Sequence, residues 1–221
     1  MARIWPYIVD VIGAPTSLAL MLLSSSVLAG QISGSAHDFS TESWAGGQIC
    51  IACHAPHHTD TTTTDAPLWN HAVTTASYSL YSSATLDASV GQPGGLSKLC
   101  LSCHDGTVAV NSFGGVTGSE VVSGQDNLGV SLNDDHPIGF IYNSSLATQD
   151  GSLHDPSSIQ TTIGSGGQLK TGTIAEVMLF NDRLECSSCH DVHNTFTADG
   201  GDMLVRVSQS GSAMCLFCHD K

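Results

Sequence analysis

The chain has 221 residues and a formal net charge of −14, although only 12% of its residues are charged. A negative field of this size argues against nucleic acid and against anionic membrane surfaces as partners, because like charges repel. It is compatible with cations and basic redox proteins. Gly, Ser and Thr are abundant, and Leu, Ile and Phe are too few for a large conventional hydrophobic core. We therefore expect a group other than side chains to fill much of the interior.

The first 29 residues have the pattern of a secretory signal peptide. Arg3 supplies a positive start, residues 18–23 form a short apolar run, and Val27-Leu-Ala29 offers a small-residue cleavage pattern. A membrane anchor is the alternative, but Asp10 interrupts a stretch already shorter than the roughly 20 apolar residues needed to span a bilayer. We predict cleavage after Ala29 and an exported mature chain, residues 30–221, with no membrane span.

All eight cysteines lie in four Cys-x-x-Cys-His motifs, which are typical of covalent attachment of c-type haem. Two thiols three positions apart can reach the two vinyl groups of one haem, and the next residue offers an imidazole as the proximal iron ligand. Structural zinc and disulfide bonds are alternatives, but neither requires a histidine directly after the second cysteine in every case. The sequence predicts four haems, held by motif 1 (Cys50-Ile-Ala-Cys53-His54), motif 2 (Cys100-Leu-Ser-Cys103-His104), motif 3 (Cys186-Ser-Ser-Cys189-His190) and motif 4 (Cys215-Leu-Phe-Cys218-His219).

Histidines outside the motifs can supply the second axial ligand of each iron. Methionine is the alternative ligand. Only Met178, Met203 and Met214 follow the signal peptide, which is too few for four haems, and Met214 adjoins Cys215 too closely to cap that haem. Bis-histidine ligation at all four irons is therefore predicted, with low reduction potentials. The candidates are His37, His57, His58, His71, His136, His154 and His193.

Two of these candidates occupy equivalent places. His57 and His193 each follow a proximal histidine, His54 or His190, by three residues. This spacing is too short for either to cap its own haem from the opposite face. We expect each to cap a neighbouring haem, which brings two haems close together.

Four irons need four distal ligands, and this requirement selects among the remaining histidines. His37 and His136 lie in polar segments far from any motif, and this demand favours both as distal ligands. His71 is the rival for the fourth position, and His58 can replace the histidine that precedes it. We interpret His154 as a surface residue.

Landmarks between the motifs are more specific than the motifs themselves. With these landmarks in order, the chain resembles the small cytochrome c3-like multihaem proteins, and more narrowly the extracellular tetrahaem cytochrome filaments, or OmcE-like nanowires. The match covers nearly all of the predicted mature chain. The landmarks are His37-Asp-Phe-Ser40, Cys50-Ile-Ala-Cys-His-Ala-Pro-His57, Pro67-Leu-Trp-Asn-His71, Leu99-Cys-Leu-Ser-Cys-His-Asp-Gly-Thr107, His136-Pro-Ile-Gly139, Cys186-Ser-Ser-Cys-His-Asp-Val-His-Asn194 and Cys215-Leu-Phe-Cys-His-Asp220.

The resemblance implies bis-histidine haems stacked in a continuous chain and identical subunits joined head-to-tail into a filament. It also implies that one subunit can donate an axial histidine to the next, and that the protein is extracellular or on the cell surface. Close relatives that are not known to polymerise keep open a soluble periplasmic electron shuttle.

The predicted fold is mostly irregular coil with short helices and few short strands, a multihaem cytochrome c organised around its haems. Residues 105–185 contain no motif, and we expect loops with a few short strands there. Residues 174–180 are ambiguous between a strand and a short helix. Disorder over 111–170 is the alternative to ordered coil, which recurring aromatic residues favour (Phe113, Phe140 and Tyr142).

Irons with two protein ligands leave no position for a substrate, so the sequence predicts an electron-transfer protein and not an enzyme. A multihaem reductase, of the nitrite or hydroxylamine type, would need a five-coordinate haem, often signalled by Lys in place of the motif histidine. No such motif is present. Redox proteins or extracellular acceptors are the expected partners besides identical subunits.

Overall fold

The computed structural model describes residues 32–63, 66, 68–198 and 203–220. The predicted signal peptide therefore lies outside the described residues. Within them, most of the chain is irregular coil with few short helices and strands, which confirms the predicted fold class. The abundance of glycine and short hydroxyl side chains explains this, because these residues favour turns over long regular elements.

The helices are short, and three of those described end in a Cys-x-x-Cys-His motif. One helix in the motif-free stretch was not expected from the sequence. Asn143 caps its N-terminus by accepting from the backbone N–H groups of Ser145 and Leu146, and Gly151, with a φ of 71°, caps its C-terminus. The ambiguous segment also forms a helix, started by a capping box between Thr173 and Glu176. The helices are α1 (Gly95–His104), α2 (Ser144–Asp150), α3 (Ile174–Met178), α4 (Cys186–Cys189) and α5 (Ala213–Cys218).

The strands in the described part of the chain pair two by two. β1 (Ser79–Leu80) pairs in parallel with β2 (Ser131–Leu132). The other pairs are antiparallel: β3 (Phe140–Ile141) with β6 (Arg183–Leu184), and β4 (Gln160–Ser165) with β5 (Gln168–Thr173), which form a hairpin. Short 3₁₀ turns occur at Gly124–Asp126 and Ser210–Ser212.

The larger hydrophobic core lies beside motifs 3 and 4 and is built mainly from the motif-free stretch. Phe140 and Tyr142 belong to it, so the part of 111–170 around them is ordered, as predicted. A smaller cluster near motif 2 contains Tyr78, Leu101 and Leu132. No helix in the described ranges is long and apolar enough to cross a membrane. The larger core comprises Phe140, Tyr142, Leu146, Ala147, Ile163, Ile174, Val177, Met178, Leu179, Leu184 and Val207.

Candidate haem-binding sites

Each Cys-x-x-Cys-His motif gathers its two thiols and its imidazole locally, in a helix in motifs 2, 3 and 4 and in a turn in motif 1. In motifs 1, 3 and 4 the histidine N–H donates to the carbonyl of the first cysteine, at 2.8, 3.0 and 2.9 Å. Motif 2 forms the last turn of α1. All eight cysteines are free thiols, as attachment to vinyl groups requires.

Three motif histidines each lie in ring contact with a histidine outside the motifs. In all three pairs the second histidine is one of the four favoured as distal ligands. The tertiary fold thus brings together residues that are far apart in sequence. The pairs are His104 with His37, at 6.0 Å between ring centroids; His54 with His193, at 6.2 Å; and His219 with His136, at 6.4 Å.

These separations fit an iron between the two rings. A metal–imidazole bond is about 2 Å long, and the ring centre lies about 1 Å beyond the nitrogen, so two imidazoles on opposite sides of one metal have centroids about 6 Å apart. Contacts between aromatic rings in general cover a wider span, about 4.5–7 Å. The identity of the partners, more than the distance, distinguishes the three pairs.

Hydrogen bonds donated by Nδ1 orient three of the predicted histidine ligands. Nδ1 donates to a backbone carbonyl in His104 (Asp126 O, 2.8 Å), in His190 (Met203 O, 2.8 Å) and in His136 (Pro137 O, 2.9 Å). A histidine that binds a metal through one ring nitrogen commonly donates its other N–H to a carbonyl or carboxylate. The proton on Nδ1 leaves Nε2 as the nitrogen that can bind iron.

His37 is held as a neutral, buried imidazole. Burial, followed by the charges of His104, His190 and His193, lowers the pKa of His37 to about 4. Its Nδ1 is buried and has no hydrogen-bond partner in the described part of the chain. A neutral imidazole is the form that ligates metals, so His37 fits a role as an iron ligand.

A buried polar link joins motif 2 to motif 3. The hydroxyl and N–H of Ser97 in α1 donate to the carboxylate of Glu185, and the Ser97 oxygen accepts from the N–H of Cys186, at 3.1 Å. The neighbouring Cys186 thiol, followed by burial, raises the pKa of Cys100. The fold therefore places the attachment points of two haems side by side.

The rival ligand His71 has a different environment. It is 3% exposed, and both ring nitrogens lie against carbonyls: Nδ1 is 2.7 Å from Ala72 O and Nε2 is 2.9 Å from Ala109 O. The indole of Trp69 lies edge-on to both His71 and His54, with centroids 6.1 and 6.2 Å away. This environment suits a residue that ties two segments together and does not favour His71 as a ligand.

The remaining histidines outside the motifs are held by hydrogen bonds of their backbone groups. His57 and His58 are exposed, and the Asn70 side chain donates to both of their carbonyls. His154 is half-buried, with its N–H bonded to Cys218 O at 2.8 Å. Among the described residues no ring contacts His190, so its partner is not identified by the same geometry.

An aspartate directly after the motif histidine has a structural role that the sequence analysis missed. Asp105 accepts from the hydroxyls of Thr74 and Tyr78, both at 2.7 Å, and from Thr107. Asp191 accepts from backbone N–H groups, including Phe196 N at 2.7 Å. Both carboxylates fix the chain as it leaves a motif. The signal was available, because Cys-His-Asp recurs in motifs 2, 3 and 4.

The C-terminal part of the chain matches a known family model. Residues 179–221, which contain motifs 3 and 4, match the model described as the doubled CXXCH motif. A comparison with curated proteins finds no match. The match to the family model covers about a fifth of the chain. The doubled motif is typical of multihaem c-type cytochromes and supports covalent attachment of haem at motifs 3 and 4.

Proposed function

We propose that the chain binds four c-type haems, each between two histidines, and serves extracellular electron transfer as the repeating subunit of a filament. The proximal ligands are His54, His104, His190 and His219. When bound, haem iron supplies one-electron chemistry by alternating between its ferric and ferrous forms. The chain's own residues attach, orient and space the haems and exclude a substrate from the iron.

The observation that carries this proposal is the set of three histidine pairs. Each joins one motif histidine to one predicted distal histidine at a ring separation of 6.0 to 6.4 Å. They support His37 as the distal ligand for motif 2, His193 for motif 1 and His136 for motif 4. A protein that used these irons for catalysis would keep one position open, and paired histidines close it.

The fourth distal ligand follows from a reciprocal relationship. His193 pairs with His54, and it lies three residues after His190. His57 lies three residues after His54, so we propose that it or its neighbour His58 serves the haem of motif 3. Both are exposed, and so is His190.

Exposure of these three histidines also supports assembly. A histidine at the surface can reach an iron of a neighbouring copy, and a head-to-tail contact whose rotation does not close produces a fibre. The resemblance to extracellular cytochrome filaments favours this arrangement. We propose export to the cell exterior or cell surface, with the periplasm as the alternative location for an unpolymerised shuttle.

Haem content and spin state test the core of the proposal. The mature protein, purified from a host that attaches c-type haem, is analysed by intact mass and by electron paramagnetic resonance. We expect four haems per chain and only low-spin ferric signals. Fewer than four haems, or a persistent high-spin signal in the native protein, would contradict four closed bis-histidine sites.

Electron microscopy tests the filament separately. The expected result is a fibre with one four-haem chain per repeat. Isolated globular particles under all conditions would overturn the filament and leave the soluble shuttle. In a fibre, the His57→Ala and His58→Ala variants identify the donor: loss of one low-spin haem in only one variant identifies the ligand of motif 3.

A further inference from the structure

One cavity collects two of the few cationic side chains of this acidic chain. Lys170 and Arg206 both line a cavity of about 280 Å³, together with the carboxylate residues Asp191 and Glu176 and with His193. The whole chain has six Lys and Arg residues against 20 Asp and Glu. Lys170 already donates to the backbone carbonyl of Glu176, at 3.3 Å. Arg206 is therefore the cation of this cavity whose hydrogen-bonding capacity has to be accounted for.

Arg206 is anchored so that its charge is held at the cavity wall. Its Nε donates to Ser187 O at 2.8 Å, and its backbone N–H donates to Cys189 O at 2.8 Å. The guanidinium lies 5.9 Å from the centroid of the Phe180 ring. Burial lowers the pKa of Arg206, but a guanidinium stays protonated in proteins. The side chain therefore presents a fixed positive charge.

The carboxylate of Asp191, which lines the same cavity, does not accept a hydrogen bond from the Arg206 guanidinium. Asp191 accepts from the backbone N–H groups of His193, Thr195 and Phe196, at 3.2, 3.0 and 2.7 Å. Within the described ranges no acceptor lies within hydrogen-bonding distance of the terminal nitrogens of Arg206. A half-buried charge whose donors are unused is costly unless a ligand of opposite charge arrives.

We propose that Arg206 binds a propionate carboxylate of the haem of motif 1. This inference rests on the proposed function, because it requires that haem. His193 lines the cavity and lies in ring contact with His54, the proximal histidine of motif 1. A planar guanidinium binds a carboxylate through two parallel hydrogen bonds, which a single ammonium cannot reproduce.

Arg206 lies next to motif 3, and this position argues against the haem of motif 3 as the source of the propionate. Arg206 bonds the carbonyl of Cys189, one of the two thioether cysteines of motif 3. Thioether bonds form at the vinyl edge of a haem, and the propionates extend from the opposite edge. A haem attached at motif 3 would therefore carry its propionates at the edge away from Cys189 and Arg206, whereas a haem held by His54 and His193 would be free to offer a propionate to Arg206.

The positive charge of Arg206 affects the reduction potential of the haem of motif 1. Ferric haem carries one more positive charge than ferrous haem, so a nearby cation disfavours the oxidised form. Arg206 therefore raises the potential of the haem of motif 1 relative to a neutral residue at this position. It acts as a positioning residue through the propionate, without touching the iron.

Redox titration of four proteins tests this inference: the native chain, Arg206→Gln, Arg206→Lys and the control Arg183→Gln. Arg183 is exposed and outside the cavity, so the control removes the same charge elsewhere. We expect Arg206→Gln to lower one of the four midpoints by about 59 mV, a tenfold change in a one-electron equilibrium. Arg206→Lys should give a smaller shift of the same midpoint, and the control should leave all four unchanged.

Unchanged midpoints in Arg206→Gln, or an equal shift of all four, would overturn the inference. Titration with inorganic phosphate is a second test, which distinguishes a free anion from a haem propionate. If phosphate binds the native protein but not Arg206→Gln in calorimetry, the cavity takes a free anion and the propionate assignment is wrong. Four low-spin haems with unmoved midpoints contradict only this inference, whereas a native chain lacking four haems contradicts the proposed function itself.

Discussion

His54 and His193 come from opposite halves of the chain, yet their rings lie 6.2 Å apart with planes only 15° from parallel. Because His193 follows the motif 3 histidine by three residues, this one contact ties motif 1 to motif 3. The link between Ser97 and Glu185 ties motif 3 in turn to motif 2. The described chain therefore holds three motifs together through contacts distant in sequence.

Replacement of His136 by alanine should open one iron site. His136 faces His219, so its loss removes the proposed distal ligand of motif 4 alone. We expect one of four haems to change from low-spin to high-spin, measured by electron paramagnetic resonance of the ferric protein. His154→Ala is the matched control, because His154 also lies beside motif 4 but contacts it through its backbone, with its N–H bonded to Cys218 O. Retention of four low-spin haems in His136→Ala would exclude His136 as the ligand.

Replacement of His71 by alanine should weaken the fold without opening an iron. His71 is buried, and its ring joins the carbonyls of Ala72 and Ala109. An uncharged imidazole has one N–H, so it donates to one of these two carbonyls. Leaving that buried carbonyl without its donor costs about 1–3 kcal/mol. Urea unfolding should show a loss of this size or larger, with all four haems still low-spin. A new high-spin signal would instead identify His71 as a ligand.

Replacement of Ser97 by alanine should destabilise the contact between motifs 2 and 3. Ser97 is fully buried and donates to the buried carboxylate of Glu185. We expect a loss of about 1–3 kcal/mol in the free energy of unfolding, because the carboxylate loses a donor that water cannot replace. Ser119→Ala is the control, since Ser119 is exposed. Equal stability of the two variants would show that the link contributes little.

Asp105 should make the stability of the protein depend on acid pH. Burial by itself raises the pKa of Asp105, but hydrogen bonds from Thr74, Tyr78 and Thr107 outweigh it and hold the pKa below its ordinary 3.8. Its contribution to stability is therefore complete above pH 3.8 and is lost as the pH falls through the lower folded value. Urea unfolding across this range should show the decline in the native protein.

The Asp105→Asn variant is the control for that decline. It should be less stable than the native protein at neutral pH, because a neutral amide accepts hydrogen bonds more weakly than a carboxylate. The difference between the two proteins should narrow as the pH falls below 3.8. A constant difference across the range would assign the pH dependence to other carboxylates.

The local features of the fold could be predicted from the sequence. The low content of helix and strand could be predicted from the composition. The coil-rich class was correct because glycine and short polar residues dominate the segments between motifs. Helix α2 was missed because its apolar positions are few, although Asn143 and Gly151 are a recognisable start and end. The role of Asp105 was missed because its donors, Thr74 and Tyr78, are distant in sequence.

The sequence by itself determined the haem chemistry of this protein: a thiol pair and an imidazole within five residues attach a haem through local geometry alone. For the distal ligands, the sequence could only compare the number of histidines outside the motifs with the number of irons. The tertiary structure decided which histidine faces which, pairing His37, His193 and His136 with three motifs and enclosing His71 between carbonyls. The physical reason is that an axial ligand must approach from the opposite face of the haem, where residues near in sequence cannot reach.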